Sequence, residues 1–231
     1  SNARAFSDTA IIVIGRTSAE NTDLTPEILS LSDNERAMVD KVATMFSNVI
    51  VLFNIGNVME MGFIDEYESI KAAALIWIPG EFGMSAVAQV LKGEVNPSGR
   101  LADTIAYSIY DHPSTQNFGS YEYEGGGHYV EYQEGIYVGY RYFETFAKDK
   151  VQYPFGHGLS YSTFTKEIVS SSTQNGKISV DVKVTNTGDV SGKDTVQIYY
   201  SAPYTGKIEK SAITNTVLRF ANLMMLLKIT L

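Results

Sequence analysis

The sequence predicts an α/β fold, a mostly parallel sheet with helices on both faces (an α/β sandwich), followed by a partial antiparallel β-sandwich. Two observations carry this prediction. Up to about residue 105, short continuous apolar runs alternate with amphipathic stretches, which is typical of parallel strands covered by helices. From residue 165 onward, apolar residues recur at every second position, which is typical of half-buried antiparallel strands.

Three apolar runs in the first part, at residues 10–14, 48–56 and 72–78, predict buried strands. Ser32 and Glu35 form a capping box that predicts a helix start between the first two strands, with Met38 and Val42 opening its apolar face. Residues 58–67 and 85–92 predict further helices, and residues 135–143 predict a strand. Because ligands bind outside the carboxyl ends of parallel strands, we expect the functional site in the loops that follow them.

The second part shows strict alternation in "KISVDVKVTNTG", residues 177–188, where Ile178, Val180, Val182 and Val184 alternate with polar side chains. This pattern predicts a strand that ends in a turn at residues 186–188. "DTVQIYYSAP", residues 194–203, repeats the pattern. Residues 165–231 are few for a complete sandwich, since such domains have about 100 residues.

Composition excludes several classes of function. The 231-residue chain is 44% hydrophobic but has no apolar run long enough to cross a bilayer, so we expect a soluble, cytoplasmic protein without a membrane partner. Its net charge of -8 argues against nucleic acid. The chain has no cysteine, and its three histidines are not spaced like a metal site, so no metal or cofactor is expected. Residues 1–3 are typical of an expression-tag remnant.

The polar stretch after the first strand, "GRTSAENTDL" at residues 15–24, contains Arg16, Ser18, Glu20 and Asp23. A glutamate at the ligand edge of a sheet is a candidate general acid if burial or a neighbouring carboxylate raises its pKa. From the residues alone, solvated loop charges are the favoured interpretation of Glu20 and Asp23.

Five further segments carry a resemblance to a known family. They are "GEVNPSGRLADTIA" (93–106), "PSTQNF" (113–118), "YQEGIYVGYRYFET" (132–145), "YPFGHGLSYSTF" (153–164) and "VTNTGDVSGKDTVQIYYSAP" (184–203). In this order and spacing the chain resembles the glycoside hydrolase family 3 β-glucosidases, specifically their α/β sandwich domain and fibronectin type III-like domain. The resemblance implies residues 4–164 as the first domain and 165–231 as a partial second one.

That resemblance implies retaining hydrolysis of a β-glucoside or short β-linked oligosaccharide. The family's acid/base glutamate lies in a pattern like R-x-S/A-G-E-x-x-D. The residues of this chain that match it are Arg16, Ser18, Ala19, Glu20 and Asp23. Ala19 departs from the pattern, since glycine is common at that position. Glu20 is therefore the expected acid/base. Asp23, Arg16 and Glu81 are expected at the substrate, with Arg16 paired to Asp23 or to the backbone so that it does not oppose a raised pKa of Glu20.

Trp77 ends the third predicted strand, and core packing is favoured for it over sugar stacking. The family's nucleophile lies on a (β/α)8 barrel, a partner domain that we expect downstream of residue 231, as in circularly permuted members. The α/β domain is expected to begin before this chain does, and the chain alone is expected to be inactive.

The apolar tail after Lys210 departs from the family pattern, which indicates either a frameshift or truncation, or divergence. We expect this segment either to pair with a neighbouring copy, giving a homodimer, or to be poorly ordered. Two functional alternatives stay open. One is a β-xylosidase of the same family, and the other is a non-catalytic carbohydrate-binding module.

Overall fold

The computed structural model describes residues 2–16, 23–119, 121–201 and 224–230. They form two compact units. The first comprises Ser1–Met84 and Asp103–Phe155, and the second comprises Ser85–Ala102 and Gly156–Leu231.

The first unit contains a three-stranded parallel sheet, as the sequence predicts. A short helix α1 (Asn2–Phe6) precedes strand β1 (Thr9–Gly15), and helix α2 (Asp33–Met45) connects β1 to β2 (Asn48–Asn54). Strand β3 (Ile70–Leu75) pairs with the other side of β2, so that the strand order is β1-β2-β3. The three strands run in the same direction, and their carboxyl ends therefore meet at one edge.

Helix α2 begins at the predicted capping box. The Ser32 hydroxyl accepts a hydrogen bond from the Glu35 backbone N–H, and the Glu35 carboxylate accepts one from the Ser32 N–H at 2.9 Å. Val39 is the fully buried residue of this helix, whereas Met38 is exposed. The prediction that Met38 leads the apolar face is wrong, because one residue turns the helix by about 100° and Val39 points inward instead.

The core of the first unit is built on the central strand. In β1 alternate residues, Ile12 and Ile14, are buried, whereas β2 buries the consecutive residues 51–53 and is covered on both faces. The prediction that the third strand is buried is wrong, because β3 lies at the edge of the sheet and has no buried residue. Phe53 packs on Phe63 with ring centroids 6.0 Å apart. Phe63 belongs to a 3₁₀ turn, Gly62–Glu66, which is shorter than the helix predicted at residues 58–67. On the other face of β1, Ile11 is about half exposed.

Short elements complete the first unit. Helix α3 (Gly80–Leu91) follows β3 and begins five residues before the predicted start; only its first five residues belong to this unit, and the rest belong to the second. Strand β4 (Ile105–Ala106) pairs antiparallel with β7 (Val151–Tyr153), and β5 (Tyr121–Glu122) pairs with β6 (His128–Tyr129).

The strand predicted at residues 135–143 is wrong, because helix α4 (Tyr140–Phe146) occupies the second half of this stretch. Its tyrosines and valine favour a strand, yet helical spacing lets Phe143 enter the core, where it is 1% exposed. Gly139, at φ 57°, supplies the left-handed backbone that precedes the helix. Tertiary packing therefore overrides the local β preference.

The second unit contains two antiparallel pairs. Strands β8 (Phe164–Gln174) and β9 (Lys177–Asn186) form a long hairpin whose turn, Asn175–Gly176, has two positive φ angles as a type I′ turn requires. The predicted alternation in β9 is confirmed at Val180, Val182 and Val184, which are more buried than their neighbours, but not at Ile178, which is 51% exposed.

Strand β10 (Thr195–Ser201) pairs antiparallel with β11 (Met224–Thr230) of the same chain. For these seven residues the expectation that the tail pairs with another copy or stays poorly ordered is wrong. An edge strand leaves N–H and C=O groups unpaired, and β11 satisfies those of β10.

The "NPSGR" stretch of the family pattern has a structural role in the second unit. Arg100 donates to Asp194 at 2.8 Å, and Lys166 contacts the other oxygen of that carboxylate at 2.8 Å. The Asn96 side chain accepts hydrogen bonds from Ser160 and from the Tyr161 N–H. These side chains join residues 96–100 to the hairpin and to β10.

Candidate functional site

The carboxyl edge of the parallel sheet brings together the starts of three loops. Gly15 is in register with Asn54, and Phe53 is in register with Leu75. The ladder continues one residue further on each side, because the Arg16 N–H donates to the Asn54 carbonyl at 3.1 Å and the Ile76 N–H donates to the Phe53 carbonyl at 3.0 Å. Arg16 and Ile76 thus flank the end of β2, two strand spacings or roughly 10 Å apart.

Arg16 is clamped at this edge. Its guanidinium makes a bidentate ion pair with Glu35, in which Nη2 donates to Oε2 at 2.7 Å and Nη1 donates to Oε1. The same side chain donates to the backbone carbonyls of Gly15, Ile28 and Ser30 at 3.0, 3.3 and 3.1 Å. The two paired side chains are only 16% and 20% exposed. A bidentate, partly buried pair of this kind fixes geometry more firmly than a surface ion pair does.

The pair strongly favours the charged form of Glu35. Hydrogen bonding from Arg16 lowers the pKa of this carboxyl from 4.5 to about 2, against the opposing effect of burial, and the Ser32 N–H and hydroxyl lower it further. Glu35 therefore has two roles at once, closing the capping box of α2 and holding Arg16. The carboxylate stays ionised throughout the neutral range.

A second anchor holds the chain on the other side of the loop. The Ser30 hydroxyl donates to Glu60 Oε2 at 3.3 Å, and the Glu60 N–H donates to the Leu29 carbonyl at 2.7 Å. Glu60 Oε1 in turn accepts hydrogen bonds from the Ser108 hydroxyl at 3.1 Å and from the Ile109 N–H at 2.8 Å. The chain is thus fixed at residue 16 and again at residues 28–30.

Of the predicted site residues, Glu20 lies outside the described residues. Asp23 is described and exposed. Of the two partners predicted for Arg16, the backbone is confirmed, since its guanidinium donates to three backbone carbonyls, whereas its side-chain partner is Glu35 and not Asp23. Glu81 is exposed in the first turn of α3, where a carboxylate also favours the helix N-terminus.

Trp77 departs from the favoured prediction of core packing. Its side chain is 39% exposed, and its backbone is left-handed with φ 54°. It lies two residues beyond β3, at the same edge as Arg16. Because β3 is an edge strand with no buried residue, the loop that follows it does not carry the indole into the core.

Sequence reasoning missed the roles of Glu35 and Glu60. Glu35 carried a visible signal, since it belongs to a capping box, but that motif does not reveal a contact with a residue 19 positions away. Glu60 carried a weaker signal, its place in the first turn of the helix predicted at residues 58–67, just after the second predicted strand. Both contacts depend on how the loops fold over the sheet edge.

Among the residues that the structure describes, no group of three or more histidine, aspartate or glutamate side chains could hold a metal ion. Within the same ranges, no helix is long and apolar enough to cross a membrane.

Replacing Arg16 by methionine should destabilise the first unit by about 2 kcal/mol, because it removes the partner of a partly buried carboxylate. Arg36→Met is the matched control, since the Arg36–Glu66 pair is 40% and 53% exposed and should contribute less than about 1 kcal/mol. Urea unfolding measures both changes.

The pH dependence of stability checks the same contact. The folded-state pKa of Glu35 is about 2 and lies below its ordinary 4.5, so its contribution is present above pH 4.5 and is lost as the pH falls toward 2. The Arg16→Met protein should lose stability less steeply than the parent over this window. Equal slopes in both proteins would contradict the assigned role of the pair.

Comparison with known proteins connects this geometry to a family. A family model described as "Glycosyl hydrolase family 3 C-terminal domain" matches residues 1–161. A curated "Beta-glucosidase" of Ruminococcus albus is 46% identical over 203 residues, which cover 87% of this chain and 21% of that relative.

Solved structures give the same result. A beta-glucosidase from Paenibacillus barengoltzii superposes with a TM-score of 0.81 at 43% identity, covering 89% of this chain and 23% of that protein. Beta-glucosidase 3B from Thermotoga neapolitana, solved in complex with α-D-glucose, gives 0.80 at 37% identity, covering 90% and 29%. The chain thus spans less than a third of the length of these proteins.

Proposed function

The chain belongs to glycosyl hydrolase family 3, and from that premise we propose that it supplies the general acid/base carboxyl of a retaining β-glucosidase. The observation that carries the proposal is the Arg16–Glu35 clamp, which fixes the entry to the loop containing Glu20 at the carboxyl edge of the sheet. Ligands of open α/β sheets bind at this edge. Residues 4–164 form the α/β domain in this proposal, and residues 165–231 form a partial sandwich.

Glu20 acts twice in the proposed reaction. Its protonated carboxyl donates a proton to the glycosidic oxygen while a carboxylate on a separate barrel domain attacks the anomeric carbon. The resulting carboxylate of Glu20 then takes a proton from the water that releases the sugar. The substrate is a β-glucoside or a short β-linked oligosaccharide, and the barrel supplies most contacts to the sugar being cleaved.

The remaining site residues support Glu20. Asp23 and Glu81 are exposed carboxylates that accept hydrogen bonds from sugar hydroxyls. Arg16 acts as a positioning residue, because its guanidinium already holds Glu35 and three backbone carbonyls. With Arg16 held by Glu35, its positive charge does not stabilise the ionised form of Glu20, whose pKa must stay high enough for proton donation. A cytoplasmic location completes the proposal.

The test is the sugar preference of a longer protein that contains this chain and its barrel. We expect kcat/KM for cellobiose to exceed that for xylobiose by about tenfold or more, since a pocket shaped for the glucose hydroxymethyl group gains binding that xylose does not offer. The reverse order would make the protein a β-xylosidase. Saturable binding of both sugars without hydrolysis would make it a carbohydrate-binding module.

A further inference from the structure

We propose that Trp77 and Glu81 form a sugar-binding platform on the leaving-group side of the scissile bond. The proposal rests on the function proposed above and deepens it, because it assigns to this chain a subsite of its own. The ligand is the pyranose ring released on hydrolysis of a β-linked disaccharide.

Exposure at the sheet edge is the first argument. Trp77 is 39% exposed and follows the edge strand β3, whose residues are exposed or half-buried. Ile78 and Phe82 beside it are more exposed still, Phe82 at 85%. These large apolar side chains lie at the carboxyl edge of the sheet, where open α/β sheets bind their ligands. Apolar and aromatic side chains dominate the lining of small-molecule sites.

Backbone strain is the second argument. A tryptophan with φ 54° lies in the left-handed region, which is costly for a bulky side chain and clusters at ligand sites. The only other non-glycine residue with positive φ among the described residues is Asn175, which is explained by its hairpin turn. Glycine would adopt this conformation without strain, whereas tryptophan adopts it at a cost.

The turn that holds Trp77 is compact. Gly80 has φ 66°, and a Cβ on Gly83 would lie 2.7 Å from Cβ of Pro79, so this position accepts only glycine without movement. Pro79 fixes its own φ. The indole is therefore presented on a preorganised turn, which lowers the entropy lost when a ligand binds.

The chemistry of the two side chains fits a sugar. The flat apolar face of an indole packs on the C–H face of a pyranose, and a carboxylate accepts hydrogen bonds from the ring hydroxyls. Glu81 lies four residues after Trp77 and is exposed. Ile76 and Arg16 are roughly 10 Å apart across the end of β2, so the platform and the start of the loop that follows β1 share one edge of the sheet.

The chain itself provides the probe, since Trp77 is its only tryptophan. Titration with cellobiose, with selective excitation of tryptophan, should change the fluorescence saturably. Glu20→Gln should give the same titration, because binding to the platform does not need the acid. A fluorescence signal that stays constant up to the solubility limit of cellobiose would overturn the proposal.

Two variants test whether the indole ring itself, and not the exposed apolar surface in general, binds the sugar. Trp77→Gly removes the ring and suits the left-handed backbone, and it should weaken cellobiose binding measured by calorimetry about fivefold to tenfold. Ile168→Ala, at an exposed apolar position of β8 that has no proposed role in binding, is the matched control and should leave affinity unchanged. Unfolding by urea checks that both variants stay folded. Equal affinity in Trp77→Gly and the parent would overturn the proposal.

Kinetics of the longer protein distinguish this subsite from the acid. Trp77→Gly should raise KM for cellobiose and for dinitrophenyl β-glucoside, both of which have a ring to stack, but not for β-glucosyl fluoride. Loss of the acid should instead spare the dinitrophenyl substrate, whose leaving group needs no proton. If Glu20 proves dispensable while Trp77→Gly still gives this pattern, the proposed function fails and the platform stands. Equal losses on all three substrates would show that Trp77 only supports the fold.

Discussion

Purified alone, this chain should hydrolyse aryl β-glucosides no faster than buffer does. Retaining hydrolysis needs two carboxyl groups about 5–5.5 Å apart on opposite sides of the scissile bond. Glu20 and Asp23 are three positions apart in one loop, so they would approach a sugar from the same side. In our proposal the second carboxylate belongs to the barrel domain, which also excludes water and keeps the pKa of the acid high.

Adding the isolated barrel domain is the control for this prediction. If the two parts dock, a small activity should return, and Glu20→Ala in this chain should abolish it. Glu27→Ala offers a matched comparison, because Glu27 is exposed near the end of the same loop and has no proposed role. Turnover by this chain alone that is lost on changing Glu20 would mean that the nucleophile lies within it.

In the longer protein, Glu20→Ala should lower the rate of cellobiose hydrolysis by about 10²–10⁴-fold, the usual contribution of a general acid. The formation of the glycosyl–enzyme from dinitrophenyl β-glucoside should fall far less, because a good leaving group departs without a proton. Pre-steady-state release of dinitrophenol measures this step separately from hydrolysis. Similar losses for both substrates would show that Glu20 is not the acid.

Local patterns predicted the regular elements well. The capping box at Ser32 and Glu35 marks the start of α2, and three apolar runs mark the parallel strands. Alternation in Val180, Val182 and Val184 marks β9. Each of these signals is carried by neighbouring residues, since helix caps and strand faces are set by positions two to four apart.

What the sequence did not predict depends on distant contacts. Glu35 contacts Arg16 only when α2 packs beside the sheet edge. Residues 140–146 form a helix although their side chains favour a strand, because the burial of Phe143 in the core outweighs local propensity. The exposure of Trp77 follows from a left-handed backbone that no apolar pattern encodes.

The acid/base glutamate itself was identified by resemblance. A glutamate in a polar loop after a strand is ordinarily a solvated charge, and its chemistry depends on what covers it. The described residues add the frame on both sides of that loop, through Arg16 with Glu35 and Ser30 with Glu60. This frame supports the role proposed for Glu20, because a proton donor must be held within hydrogen-bonding reach of the leaving oxygen.

The most direct test is the product formed by Glu20→Ala in the longer protein when azide is added. Without its base, the glycosyl–enzyme reacts slowly with water, but azide needs no deprotonation and can attack in its place. If Glu20 is the acid/base, azide should accelerate turnover of dinitrophenyl β-glucoside, and the anomeric proton coupling should identify β-glucosyl azide, with configuration retained. Formation of α-glucosyl azide would instead make Glu20 the nucleophile, and the absence of any azide product would contradict a role in either step.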